Sequence, residues 1–356
     1  MRRNQPDSTF WMRLTSELLK SCYRHETDNV DQVRFSDTCS IRTAVNNKLL
    51  ELAASRGFYR APLVGHDILN IDGLDRAYGL FEDEISTDLF VKLLAYRVLG
   101  HRHVRLPLNC GQYWELRRSL HTYVERIGTI TEIPILGSLD LCNVHSIRLH
   151  THLLALLNTF LLEQSRCPRA DIGVCAGDVV IDAGGCWGDT ALYFAKTAER
   201  VFCFECMPSN IAIIQENLAL NPTLSAKISV VQKALWSRSG ETVVFNDVGP
   251  GSRPASSGQG VKVETQTIDD FVLSNSVKRI DFIKMDIEGS EPDALIGAEW
   301  TIRNYRPRLG ISIYHDASHF ASIPAWLANL NLGYRLYLDH FTIHQEETVL
   351  FARSTK

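Results

Sequence analysis

The sequence predicts an α/β protein whose carboxy-terminal half forms a mostly parallel sheet covered by helices. Three observations lead to this prediction. From Gly177 onward, apolar segments of strand length alternate with helical segments, which is typical of a parallel sheet. The first such segment, Val179 to Ile181, is β-branched and runs into a glycine-rich turn followed by a helix. Two later strands end in carboxylates, at Glu205 and Asp286.

Taken in order, the strands of this half are separated by segments with helical patterning. We expect strands at Val179 to Asp182, Val201 to Glu205, within Ile228 to Leu235, at Ile280 to Asp286 and at Arg308 to Tyr314. Helices are expected at Asn210 to Leu220 and Glu291 to Asn304. Tyr334 to Leu338 and Thr348 to Ala352 suit a terminal antiparallel pair. Thr242 to Phe245 and Val261 to Thr265 are expected to pair around a loop rich in glycine, proline and serine.

The amino-terminal half is expected to be mainly helical. Helices are predicted over residues 8–20, Asp83 to Leu99 and Arg148 to Glu163, because apolar side chains recur there at helical spacing. Residues 25–47 are polar and weakly patterned, which indicates a loop or a loose helix. The polar segment Gln164 to Gly173 marks the expected boundary. We therefore predict two domains, residues 1–170 and 171–356.

Composition indicates an ordinary globular protein. The chain has 356 residues, 45% of them hydrophobic and 22% charged, with a formal net charge of −4. This charge gives no reason to expect nucleic acid or an anionic membrane as partner. The longest apolar stretch, Leu153 to Leu162, is too short to span a membrane. The nine cysteines are scattered and suggest no disulfide framework, and no apolar leader follows Met1. We therefore expect a cytoplasmic protein. The sequence does not reveal its oligomeric state.

The glycine turn after the first strand is the strongest chemical feature of the sequence. In doubly wound sheets, ligands bind beyond the carboxyl ends of the strands, and an acid after the second strand reaches a ribose. Glu205 has that position, which serves both nicotinamide dinucleotides and S-adenosylmethionine. However, Gly184-Gly185 does not make a G-x-G-x-x-G pattern, and Asp182 would repel a pyrophosphate. The spacing therefore favours the ammonium and sulfonium of S-adenosylmethionine.

Four blocks then carry a family resemblance. They are Val180 to Thr190, Phe204 to Asn210, Lys233 to Trp236 and Lys284 to Glu291. In this order they resemble the FkbM family of S-adenosylmethionine-dependent methyltransferases, and Glu82 to Gly100 resembles the amino-terminal helix of longer members. The family often has asparagine where Cys186 stands and proline where Cys206 stands, and neither change removes a charge or a glycine.

The resemblance implies a seven-stranded class I methyltransferase fold, which is Rossmann-like. It also implies methylation of an acceptor oxygen, usually a hydroxyl of a saccharide or a natural product. By position it assigns Glu205 to the ribose of the cofactor and Asp286 to the transferring methyl or the acceptor. The residues expected around the methionine part are Asp182, Gly184, Gly188 and Thr190, and those beside the adenine are Ala234 and Leu235.

An alcohol acceptor must lose a proton during methyl transfer, and a nearby carboxylate or imidazole can accept it. Asp286 is the first candidate base, His315 the second and His340 the third. No complete metal ligand set is visible, because Asp286 with His315 is only a partial one, so no metal site is predicted and a divalent metal is left open. The C-x-x-C at Cys203 and Cys206 has no second pair to complete a zinc site.

Two other functions remain open at this stage. A nicotinamide-dependent oxidoreductase uses a similar sheet, and a non-catalytic binding protein can retain this fold. Tight binding of NAD in place of S-adenosylhomocysteine would indicate the oxidoreductase. Unchanged cofactor affinity and turnover after substitution of Asp286 and Glu205 by alanine would indicate the non-catalytic binding protein. Neither the acceptor nor the choice between oxygen and nitrogen methylation can be read from the sequence.

Overall fold

A computed structural model describes residues 8–26, 28–29, 66–69, 71–129, 139–255 and 260–355. Most of the loosely patterned segment 25–47 therefore lies outside the described residues. The strands are β1 (Val124–Thr129), β2 (Asp140–Val144), β3 (Ile147–Thr151), β4 (Val179–Ala183), β5 (Arg200–Phe204), β6 (Ile228–Val231), β7 (Ala234–Leu235), β8 (Thr242–Phe245), β9 (Val261–Gln266), β10 (Phe282–Met285), β11 (Arg308–Ser312), β12 (Tyr334–His340) and β13 (Thr348–Ser354). The α-helices are Ser8–Ser21, His66–Leu69, Leu74–Tyr78, Glu84–Leu99, Gly111–Arg118, Leu120–Tyr123, Leu153–Leu156, Asp189–Ala195, Pro208–Ala219, Pro222–Ser225, Ile268–Ser274, Glu291–Ile296, Glu299–Tyr305 and His319–Asn329.

The central sheet has seven strands in the order β12-β13-β11-β10-β4-β5-β6. The strands from β11 to β6 are parallel, whereas β13 is antiparallel to both β11 and β12. The predicted α/β fold and its terminal antiparallel pair are thereby confirmed. Because β4 is flanked by β5 and β10, the carboxyl ends of these three strands meet at one edge of the sheet.

A second, smaller sheet lies beside the end of β6. The predicted pairing of Thr242 to Phe245 with Val261 to Thr265 is confirmed as the antiparallel β8–β9 pair, and β7 adds to β9 in parallel. The segment Ile228 to Leu235 therefore serves two sheets, since β6 ends at Val231 and β7 begins at Ala234. The predicted helix Glu291 to Asn304 is two helices, because the chain turns at Gly297, whose missing Cβ leaves room for the backbone oxygen of Trp236.

The amino-terminal half holds a three-stranded antiparallel sheet, β1-β2-β3, that the helical prediction missed. The helix expected from Arg148 is wrong over its first residues, where Ile147–Thr151 forms β3 and buries alternate side chains. Alternating burial is the pattern of a strand with one covered face. Asn217 fixes β3 from the following helical layer, as its Oδ1 accepts from the backbone N–H of His150 at 2.6 Å.

The rest of that predicted helix is short. Leu153–Leu156 makes one α-helical turn, and Leu157–Leu161 continues as a π-helix. Isolated π-helical turns within helices occur frequently at functional sites. In the described ranges, no helix is both long enough and apolar enough to cross a membrane.

Helices near the amino terminus pack directly on the edge of the seven-stranded sheet. Phe10 and Phe90, from the helices Ser8–Ser21 and Glu84–Leu99, lie in the same buried cluster as Leu338 of β12. Arg169 joins the two parts, since its guanidinium contacts Asp83 at 2.8 Å and Asp339 at 2.6 Å. Both predicted helices are confirmed here, whereas the domain boundary near residue 170 stays a prediction.

Candidate functional site

A cleft opens where β4, β5 and β10 end. Its walls come from the glycine turn after β4, the loop after β5, the β7 segment and the loop after β10, closed by the hairpin loop after β8. The lining residues are Gly184, Cys186, Phe204, Glu205, Cys206, Asn210, Lys233, Ala234, Leu235, Phe245, Gly249, Pro250, Ser252, Asp286, Ile287, Glu288 and Ser290. This is the position where doubly wound sheets bind ligands.

The glycine turn is fixed by sterics. Gly184 has a φ of +84°, and a Cβ at this position would overlap the backbone oxygen of Asp286. The backbone N–H groups of Gly184 and Gly185 both donate to the carbonyl of Phe204, at 3.0 and 2.9 Å. The turn therefore ties the ends of β4, β5 and β10 together and needs glycine for both conformation and space.

We expect Gly184→Ala to lower the urea midpoint of unfolding much more than Gly240→Ala. Gly240 has a similar φ of +79°, but its Cβ would meet nothing within 4 Å. Both substitutions impose a left-handed alanine, which costs about 1–2 kcal/mol. Only Gly184→Ala adds a collision with the backbone of Asp286. Equal losses of stability would show that the close approach at Gly184 is not what holds the turn.

Asp182 and Lys284 form a buried ion pair behind the cleft. Asp182 is fully buried, and its Oδ1 lies 3.3 Å from Lys284 Nζ while its Oδ2 accepts from Thr190 Oγ1 at 2.8 Å. The lysine also donates to the carbonyl of Gly184 at 2.8 Å. Burial alone would lower the pKa of Lys284, but the carboxylates of Asp182 and Asp286 outweigh it and raise the pKa above its usual value. Lys284 is therefore charged. Burial raises the pKa of Asp182, while Lys284 and the hydrogen bond from Thr190 oppose that rise, so the two groups stabilise each other below the glycine turn.

Glu205 is held by backbone groups. Its Oε1 accepts from the N–H groups of Cys206 and Met207 at 2.7 and 2.8 Å, and its Oε2 accepts from Cys186 N–H at 2.9 Å. Burial raises the pKa of Glu205, while these hydrogen bonds oppose that rise. Since each carboxylate oxygen can accept two hydrogen bonds, Oε2 keeps capacity for a hydroxyl of a ligand in the cleft.

Asp286 follows β10 and lines both the cleft and its extension. Its Oδ1 accepts from Tyr314 Oη at 3.2 Å and lies 3.5 Å from His315 Nε2. Burial raises the pKa of Tyr314 well above its usual value, and the charge of Asp286 adds to the rise. Tyr314 is therefore a neutral donor that orients Asp286.

His315 lies among three carboxylates. Its Nε2 is 3.6 Å from Glu288 Oε2, and its Nδ1 is 2.9 Å from Glu291 Oε1. Burial by itself lowers the pKa of His315, but contacts with Glu288, Glu291 and Asp286 raise it to about 11. In the absence of a ligand the imidazole is therefore protonated at neutral pH and is not free to accept a proton.

The cleft continues past the glycine turn toward the amino-terminal half. Asn158, Thr159 and Gln164 line this extension together with Trp187. Thr159 lies in the π-helix and donates from Oγ1 to Asp189 Oδ2 at 2.7 Å, so this element reaches the start of the helix after the turn. Other residues along the extension are Ala155, Gly184, Cys186, Asp189, Thr190, Pro250, Lys284, Asp286, Glu288, Tyr314 and Glu347.

Most residues predicted for the site come together. Gly184, Glu205, Ala234, Leu235 and Asp286 line the cleft, Thr190 lines its extension, and His315 stands beside Asp286. Asp182 differs from the expectation, because its side chain is enclosed and turned to Thr190 and Lys284. Gly188 lies behind the cleft at the amino end of the next helix, packed near Ile214.

His340 lies away from the cleft, and its Nδ1 is 2.9 Å from Thr348 Oγ1. Sequence reasoning missed Lys284 and Tyr314. A lysine inside an apolar strand, paired in register with Asp182 on the neighbouring strand, was the available clue to the first. Nothing in the sequence marked Tyr314, because its position depends on how the chain turns after β11.

Residues 171–336 match the family described as the methyltransferase FkbM domain. Among solved structures, the chain is similar to a methyltransferase FkbM from Methylobacillus flagellatus KT, with 20% identity and a TM-score of 0.50. That similarity covers 83% of this chain and 62% of the other, so the chain spans less than two thirds of that protein's length. No curated protein matches the chain.

Two further solved structures match the chain over about half of its length. An rRNA methylase from Streptococcus thermophilus has 12% identity and a TM-score of 0.35, covering 51% of this chain and 90% of its own. A protein from Streptococcus mutans in complex with SAH has 10% identity and a TM-score of 0.35, with the same two coverages. The predicted class I methyltransferase fold is confirmed by the family match and the first structure together with the seven-stranded sheet.

Proposed function

We propose that the chain is an S-adenosylmethionine-dependent O-methyltransferase, starting from the match of residues 171–336 to the methyltransferase FkbM domain. The proposed acceptor is a hydroxyl of a saccharide or a natural product. The observation that carries the proposal is the position of Glu205, which is buried in the wall of the cleft between the glycine turn and the β7 segment. We propose a cytoplasmic setting for the reaction, as the sequence suggests.

The residues of the cleft fit the cofactor part by part. Glu205 Oε2 offers a charged acceptor to the ribose hydroxyls, a stronger interaction than one between neutral groups. Ala234 and Leu235 form an apolar wall that suits the adenine. The methionine part would then lie along the glycine turn toward Thr190, above the ion pair of Asp182 and Lys284.

Asp286 is the proposed general base. Transfer of a methyl from a sulfonium is an in-line displacement, so most of the catalysis is positioning of the acceptor oxygen. Asp286 Oδ1 is engaged by Tyr314, which leaves Oδ2 to accept the proton of the hydroxyl. His315 is assigned to this centre as well, but as a positioning residue next to Asp286 in place of the second base that the sequence suggested.

Calorimetry of cofactor binding tests the proposal. The wild-type chain should bind S-adenosylhomocysteine and should not bind NAD. Glu205→Gln should weaken that binding by about 10- to 100-fold, because the charged hydrogen bonds it removes contribute roughly 1.5–3 kcal/mol. Glu216→Gln, an exposed substitution on the helix Pro208–Ala219, is the matched control and should bind like the wild type.

Each other outcome points to an alternative function. Tight binding of NAD without S-adenosylhomocysteine would replace the proposal by an oxidoreductase. Cofactor binding without methyl incorporation into any hydroxyl-bearing compound would favour a non-catalytic binding protein. The acceptor screen should include RNA fragments beside saccharides and natural products, so that the proposed acceptor class is itself tested.

A further inference from the structure

Four side chains meet at the inner end of the cleft, and together they are called the acidic–histidine cluster: Asp286, Glu288, Glu291 and His315. Ligand atoms of Asp286, Glu291 and His315 all lie within 4.8 Å of one another. His315 Nε2 is 3.5 Å from Asp286 and 3.6 Å from Glu288. Bonds of about 2.1 Å to one ion place neighbouring ligand atoms roughly 3–3.5 Å apart, so this spacing suits a metal ion after small side-chain shifts.

The cluster has unused binding capacity in its interior. Only 7% of the His315 side chain is exposed, and Glu291 is fully buried. Within the described chain, neither ring nitrogen of His315 makes a directed hydrogen bond, although Glu291 lies close to Nδ1. Glu291 Oε2 also lacks a hydrogen bond there, while Oε1 accepts from Ile287 N–H at 2.9 Å. Buried polar atoms without hydrogen bonds are rare in native proteins, and coordination of a cation would satisfy these.

The charges of the cluster point to a cation. In the part of the chain that the structure describes, the salt bridges of Asp286, Glu288 and Glu291 are all to histidines. The nearest lysine, Lys284, is already paired with the fully buried Asp182. Three carboxylates thus face two imidazoles, those of His315 and His319, and burial lowers the pKa of His319. Negative charge is therefore in excess in an enclosed place, which favours a bound cation.

We propose that Asp286, Glu291 and His315 bind one divalent metal cation at the inner end of the cleft, with Glu288 beside them. Two carboxylates and one imidazole form a mixed donor set that suits first-row divalent ions such as Mn²⁺. The backbone holds the site in shape, since Glu288 has a φ of +55° in the tight turn before the helix Glu291–Ile296. Non-glycine residues with such a φ concentrate at functional sites.

The proposed metal site is inferred only from the geometry of the cluster, whereas the role of the metal rests on the proposed methyl transfer. Asp286 lines both the cleft and its extension, so a cation held there lies where the acceptor must approach. It would bind the acceptor oxygen and favour loss of its proton, acting as a Lewis acid. The proposed acceptor is therefore one whose hydroxyl can bind a metal, such as a sugar with a neighbouring oxygen.

Binding of Mn²⁺ to the metal-stripped chain, measured by electron paramagnetic resonance without cofactor or acceptor, tests the proposal. We expect one ion per chain and a nitrogen coupling in the electron spin-echo spectrum, as a histidine ligand produces. His315→Gln should abolish the coupling and weaken Mn²⁺ binding by roughly tenfold or more. His121→Ala, at an exposed histidine, should change neither.

The wild-type spectrum keeps the test decisive even if His315→Gln does not fold. Absence of stoichiometric Mn²⁺ binding, or bound Mn²⁺ without a nitrogen coupling, would overturn the metal site. So would a folded His315→Gln chain that keeps the coupling. None of these results affects the test of cofactor binding, because the calorimetric titration with S-adenosylhomocysteine is carried out in the presence of a metal chelator.

Discussion

Asp286→Asn is expected to reduce methyl transfer by roughly 10²- to 10⁴-fold, the usual contribution of a general base. The asparagine keeps the shape of Asp286 and can still accept from Tyr314, but it cannot take a proton from the acceptor. The rate is measured as incorporation of a labelled methyl group into the best acceptor found by screening. Affinity for S-adenosylhomocysteine should stay close to that of the wild type, because Glu205 and the glycine turn are untouched.

The matched control is Asp171→Asn, which removes an exposed carboxylate whose salt bridge is to Arg353. Its turnover should equal that of the wild type. Full activity of Asp286→Asn would remove Asp286 from the chemistry and leave positioning as the whole of catalysis. A fall in cofactor affinity equal to the fall in rate would mean that Asp286 binds the cofactor instead.

The second large effect is on folding. Lys284→Met should lower the free energy of unfolding by about 3–5 kcal/mol, the usual cost of breaking a buried ion pair from one side. The substitution leaves the buried Asp182 carboxylate without its lysine, while Thr190 Oγ1 still donates a hydrogen bond to it. It also removes the bond from Lys284 to the carbonyl of Gly184. Urea unfolding followed by circular dichroism gives the change in stability.

A double-mutant cycle separates the ion pair from simple loss of packing. Asp182→Asn should also destabilise the chain, because it leaves Lys284 without its closest charge partner. The combined variant Asp182→Asn/Lys284→Met should lose much less stability than the sum of the two single changes, because it contains no unpaired buried charge. Strict additivity of the two losses would contradict the coupling inferred from their 3.3 Å separation.

The site residues at the strand ends can be predicted from the sequence, because their positions depend on the order of residues within short segments. An acid after a buried strand, followed by glycines and a helix, places Asp182, Gly184 and Glu205 wherever the parallel sheet forms. Parallel register then brings Asp286 to the same edge, so the ends of three separated strands meet without any detailed knowledge of packing. The alternation of strands and helices was readable for the same reason.

Other parts depend on contacts between distant segments. The helix prediction is wrong over β3 because Leu149 continues the helical spacing of Leu153, Leu156 and Phe160. The strand is fixed instead by Asn217, which lies 67 residues away in sequence. Lys284 has a role only because Asp182 lies opposite it in the sheet. The surroundings of His315 follow from the packing of the helix Glu291–Ile296 against the end of β11, which no local pattern encodes.

A crystal structure of the chain with S-adenosylhomocysteine tests the central claim most directly. The account predicts the ribose hydroxyls at hydrogen-bond distance from Glu205, the adenine against Ala234 and Leu235, and the sulfur directed toward Asp286. Binding of S-adenosylhomocysteine at another place, or in this cleft with its ribose away from Glu205, would contradict it.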